Sequence, residues 1–112
     1  MTDKQFALCW HEASNYNDRD AYVSDIALSS TWGDSPEDDI PEKRLEKLGE
    51  IWDAAHRNVK GIAAAAGMSQ RKLAERFCIP YRTMEAWCMG DRVPPDYVRL
   101  MMQECLGLIK NN

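Results

Sequence analysis

The sequence predicts an all-α protein, and three observations carry that expectation. Apolar residues recur at spacings of three and four in several segments, capping residues precede those segments, and glycine or proline closes them. The 112 residues are 45% hydrophobic and 29% charged, enough for one compact domain or a small domain with an ordered extension, and unlike a disordered chain. No apolar run approaches the roughly 18 residues that a membrane span needs. The start, Met1-Thr2-Asp3-Lys4-Gln5, lacks the charged-then-apolar layout of a secretory signal, so a cytoplasmic protein with no membrane partner is expected.

Net charge is −4, which by itself argues against a nucleic-acid partner. The two halves differ. Residues 1–56 hold 5 basic side chains against 13 acidic ones, net −8, whereas residues 57–112 hold 9 against 5, net +4. Such asymmetry marks a basic binding half joined to an acidic half with another task.

Along the chain, residues 1–17 show no clean period and read as an irregular or short helical arm. Asn17, Asp18 and Asp20 supply caps for a helix to about Ser30, with Tyr22, Ile26 and Ser29 on one face and Val23 and Ala27 beside it. It stops at Thr31-Trp32-Gly33. The polar loop Gly33-Asp34-Ser35-Pro36-Glu37-Asp38-Asp39 is the expected boundary, giving an acidic, partly helical extension over 1–40 and a helical domain over 41–112. The loop's acids read most simply as solvated, a metal or partner site being the alternative. Pro41 suits a first helical position, and Leu45, Leu48, Trp52 and Ala55 form an apolar stripe that needs a covering surface, either the first helix of the basic domain or the same helix of a partner. The next helix runs from about Asn58 through Val59, Ile62, Ala63 and Ala66 to a stop at Gly67. Ser69 caps another over 70–77, Cys78-Ile79-Pro80 turns, and Tyr81 to Met89 forms a third that ends at Gly90. After Asp91-Arg92-Val93-Pro94-Pro95, a last helix from Asp96 carries Val98, Met101, Met102, Cys105, Leu106 and Ile109, a face that reads as core or as a dimer seam.

Cys9, Cys78, Cys88 and Cys105 contain no C-x-x-C pair, and buried free thiols are expected ahead of disulfides or zinc. His11 and His56 are isolated, and no glycine-rich phosphate loop exists. No catalytic residue, metal or cofactor is therefore expected, and no enzyme activity.

With Gln70 as the first of twenty positions, Leu73, Phe77, Ile79, Met84 and Trp87 fall where a helix-turn-helix (69–89) buries its wedge of core, and small Ala74 sits where a larger side chain would push the helices apart. Residues 59–106 resemble the Cro/cI-type, XRE-like helix-turn-helix family, on the run from Met68-Ser69-Gln70 through Leu73-Ala74 to Phe77, on Ile79-Pro80-Tyr81-Arg82-Thr83-Met84-Glu85-Ala86-Trp87, and on Gly90 with Arg92 and Pro94. The resemblance covers under half of the chain. It implies a five-helix DNA-binding domain, dimeric, that represses transcription at palindromic operators. Cys78 departs from the pattern, which usually has a left-handed glycine there. That conformation costs a cysteine roughly 1 kcal/mol or more, so a differently shaped turn is expected.

On this reading Ser69 and Gln70 contact a phosphate, the plainer role being capping. Tyr81, Arg82 and Glu85 face base edges, with arginine to guanine the leading contact and glutamate to cytosine N4 possible chemically though repelled by phosphate. Thr83 meets a thymine methyl or a phosphate. Arg71, Lys72 and Arg92 are phosphate contacts or idle surface charges, and Trp87 is core. The expected function is a sequence-specific DNA-binding transcriptional regulator, a repressor of bacterial, phage or mobile-element origin, acting as a homodimer on double-stranded DNA. The acidic segment lies away from the duplex and takes a protein partner or the dimer contact. The alternative is a protein-interaction module, such as an antitoxin or a phage-encoded inhibitor, on the same scaffold.

Overall fold

The computed structural model describes residues 2–28 and 41–110, which form seven α-helices and no strand: α1 Asp3–Ala13, α2 Arg19–Ala27, α3 Pro41–Ala55, α4 Val59–Ala66, α5 Gln70–Arg76, α6 Tyr81–Met89 and α7 Asp96–Cys105. Among the described residues no helix is long and apolar enough to cross a membrane. The expected stop at residues 31–33 and the acidic loop at 33–39 lie outside the described residues.

The chain divides into two compact units, Met1–His56 with Ile109–Asn112, and Arg57–Leu108. The division therefore falls after α3 and not at the acidic loop before it. In the first unit, α1 is a well-capped helix, the helical one of the two forms expected for this arm. Thr2 accepts from the Gln5 N–H at 3.1 Å, while the Thr2 N–H donates to the Gln5 side chain at 2.7 Å. That reciprocal pair satisfies two of the orphan donors at a helix start. Asp18 caps α2 by accepting from the Ala21 N–H.

α3 packs on α1 and α2, so its apolar stripe is covered within this unit. The buried face is Leu48, Ile51, Ala54 and Ala55, whereas Leu45, one of the stripe residues expected inside, is 46% exposed. Phe6, Cys9, Trp10, Ala13, Tyr22 and Ile26 supply the opposing wall. Polar contacts close the edges. The Tyr22 hydroxyl donates to the Cys9 carbonyl at 2.7 Å, the Trp52 indole N–H donates to the Tyr16 carbonyl at 3.0 Å, and Arg19 pairs with Asp53 at 3.0 Å. His56 stacks on Trp52, with centroids 4.1 Å apart, and its Nε2 lies 2.8 Å from the Ala13 carbonyl.

The second unit contains four helices, α4 to α7, where the resemblance implies five, because α3 joins the first unit. Asn58 caps α4 by accepting from the Gly61 N–H at 2.8 Å, and Gly67 ends the helix in the left-handed conformation. The core is Val59, Ala63, Leu73, Ala74, Met84 and Met102, with Phe77, Ile79, Trp87, Val98 and Leu106 packed around it and only partly buried. Of the face expected on the last helix, Met102 is core, Met101 and Cys105 are exposed, and Ile109 lies beyond the helix end and groups with the first unit. Gln103 is fully buried yet satisfied, since it accepts from Arg57 at 2.9 Å and donates to the Arg99 carbonyl at 3.2 Å.

Candidate nucleic-acid interface

Residues 69–89 form two short helices, and local bonds close both ends of α5 and the C-terminal end of α6. Ser69 caps α5, its hydroxyl accepting from the Lys72 N–H at 3.1 Å, so that oxygen already serves the helix. At the far end the N–H groups of Phe77, Cys78 and Ile79 donate to Leu73, Glu75 and Ala74. Cys78 has φ 55, the only positive φ at a non-glycine position among the described residues. The turn thus keeps the left-handed shape that the sequence argued against. Cys78 is exposed, so its side chain meets no packing obstacle, and the Ile79 N–H reaches Ala74 at 2.9 Å only across a turn of that hand. Pro80 then precedes α6, and Gly90 ends it, again left-handed.

The inward sides of the pair are Leu73, Ala74 and Met84, all buried. Trp87 packs against this core but remains half-buried, which corrects its expected place within it. The outward sides hold Arg71, Lys72 and Arg76 on α5 and Tyr81, Arg82 and Glu85 on α6. Four cations stand there against the carboxylates of Glu75 and Glu85. Gln70 and Thr83 are half-buried, so they offer less of their side chains than the exposed residues do. Arg92 is exposed in the loop after α6, where the Asp91 and Arg92 N–H groups both donate to the Ala86 carbonyl.

One contact joins the outward sides. The Arg71 guanidinium lies 4.3 Å from the centre of the Tyr81 ring, across the turn. Arg76 stands similarly over Phe77, at 5.4 Å. Arg76 was not among the residues singled out from the sequence, although it follows Arg71 and Lys72 at helical spacing and is equally exposed.

The thiols divide by environment. Cys9 is buried, and burial with nearby Glu12 pushes its pKa to about 11; Cys88 is half-buried and also raised by burial, with Lys60 opposing. Cys78 and Cys105 are exposed, contrary to the expectation of buried thiols. Among the described residues no three His, Cys, Asp or Glu side chains are grouped to hold a metal ion. No protein-family model, no curated protein and no solved structure matches this chain.

Proposed function

We propose that this chain is a sequence-specific DNA-binding transcriptional regulator, a repressor built on a Cro/cI-like helix-turn-helix, with α6 in the major groove. The observation that carries the proposal is the division of α5 and α6 into an apolar inner side and an outer side bearing Arg71, Lys72, Arg76, Tyr81 and Arg82. In this reading Arg82 donates to a guanine edge, Glu85 accepts from a cytosine, and Thr83 offers its methyl to a thymine. Ser69, Gln70, Arg71, Lys72 and Arg92 hold the phosphates. Two copies bind a palindromic site, and the acidic unit keeps clear of the duplex. No reaction chemistry, cofactor or metal is involved.

Selection of bound sequences from a random duplex pool tests this directly. Affinity for the selected duplex should fall by orders of magnitude between about 50 and 200 mM salt, as condensed counterions are released. Arg82→Ala should cost roughly 1–3 kcal/mol on the selected site and relax one base pair, whereas Lys72→Ala should weaken all sequences alike. A pool without enrichment, or a flat salt response, sinks the proposal. A second reading, a protein-interaction module such as an antitoxin or inhibitor, draws on the exposed Met89, Val93, Tyr97 and Met101 in the second unit, and that same outcome would put it ahead.

A further inference from the structure

Arg71 and Tyr81 belong to different helices, yet the guanidinium is seated over the ring at 4.3 Å, and both side chains are at the surface. Among the described residues no carboxylate pairs with Arg71. The guanidinium carbon lies over the ring, and among the described residues no hydrogen bond or ion pair takes up the planar fork of N–H donors. It also occupies one face of the Tyr81 ring and anchors the far end of a long side chain that would otherwise sample many rotamers. A stacked arginine therefore meets a phosphate with less ordering still to be done, and the fork matches two phosphate oxygens.

We propose that Tyr81 is a positioning residue, whose ring holds the Arg71 guanidinium edge-outward so that it donates two parallel hydrogen bonds to one phosphate of duplex DNA. This rests on the DNA-binding reading and replaces the base-edge role expected of Tyr81, which acts through Arg71 instead. The ring does the work, and the phenolic hydroxyl is dispensable. Because the charge belongs to Arg71 and the order to Tyr81, the two substitutions leave different signatures in salt.

The test uses the full chain with Tyr81→Phe, Tyr81→Ala, Arg71→Ala and the double variant Tyr81→Ala/Arg71→Ala, titrated against selected and random duplexes over a series of salt concentrations. Tyr81→Phe should bind within about twofold of the parent, since the stack survives. Tyr81→Ala should weaken binding about two- to fivefold on both duplexes, the range for an exposed cation–π contact, while keeping most of the salt slope. Arg71→Ala should lower the magnitude of that slope by about 0.9, one phosphate's worth, and on this background Tyr81→Ala should cost nothing more. In the free protein, ring-current shifts of the Arg71 side-chain protons should vanish in Tyr81→Ala and persist in Tyr81→Phe.

Three outcomes overturn the inference while leaving the DNA-binding reading standing. These are equal losses for Tyr81→Phe and Tyr81→Ala, an undiminished Tyr81→Ala effect without Arg71, and an effect confined to the selected duplex. Absence of the ring-current shift in the free protein overturns it whatever the binding result. Failure of the parent chain to bind either duplex takes down both the reading and the inference.

Discussion

Among the described residues, only the first of the two units buries aromatic side chains completely, beside its half-buried Tyr16 and Trp52. In the first, Phe6, Trp10 and Tyr22 are buried, and the Tyr22 hydroxyl is satisfied by the Cys9 carbonyl. In the second, the fully buried side chains other than Gln103 are aliphatic or sulfur-bearing, Leu73 and Met84 among them, while Phe77 and Trp87 are half-buried and Tyr81 and Tyr97 exposed. A wedge between two short crossing helices holds Leu73, Ala74 and Met84 but has little room for a ring. Three longer elements can close around several rings, each contributing a large buried area. The first unit thus uses its aromatics for cohesion, and the second leaves aromatics beside cations where a partner can reach them.

The sharpest way to break this comparison is to remove one ring from each unit. Tyr22→Ala should destabilise the first unit by about 3–5 kcal/mol, as for a large aromatic lost from a core. Trp87→Ala should cost the second unit only about 1–3 kcal/mol, because the ring is already half in water. Denaturant unfolding with amide exchange resolved for each unit measures both. Equal losses would erase the contrast.

Alkaline pH should separate the units next. Burial raises the Cys9 pKa from 9.0 to about 11 and raises that of Tyr22 as well. Below pH 9.0 both states of Cys9 hold the proton, and its ionisation does not affect stability. As pH climbs from there to about 11, the unfolded chain releases the proton while the folded chain keeps it. Stability should then fall by up to about 1.4 kcal/mol per pH unit for this one group. A pH series of unfolding curves should show the first unit weakening across that window, and Cys9→Ala should flatten the fall. No change in that interval would mean that Cys9 is wetter than its packing indicates.

The smallest expected effect sharpens the account of the second unit. Cys78 is exposed and left-handed, so Cys78→Gly should relieve backbone strain and stabilise by up to about 1 kcal/mol, less the entropy a glycine adds to the unfolded chain. Cys78→Val should lose about 1 kcal/mol or more, since a β-branched side chain is worse placed there. A melting temperature unmoved by either change would show that the turn relaxes without cost.

Helix ends that depend on short-range bonds are legible in the residue order alone. Asp18, Asn58 and Ser69 cap, and Gly67 and Gly90 stop, because an orphan N–H or carbonyl finds its partner within a few residues. Thr2 and Gln5 carry the same kind of short-range signal. The inward set Leu73, Ala74 and Met84 was equally legible, as was the exposure of Arg71, Lys72, Arg82 and Glu85, since helical periodicity separates those faces. Which surfaces meet depends on the packing of the helices against one another. Leu48, Ile51 and Ala54 are covered by α1 and α2, so the compact division falls at residue 57, and a cut at residue 40 would strip α3 of its cover. The left-handed Cys78 and the seating of Arg71 on Tyr81 were also beyond the one-dimensional pattern. A strained φ persists where the helix-end bonds and the shared wedge of core require it, and a contact across a turn depends on how two helices cross. Residue spacing specifies a helix's faces; the partner that buries each face comes from the packing of the whole chain.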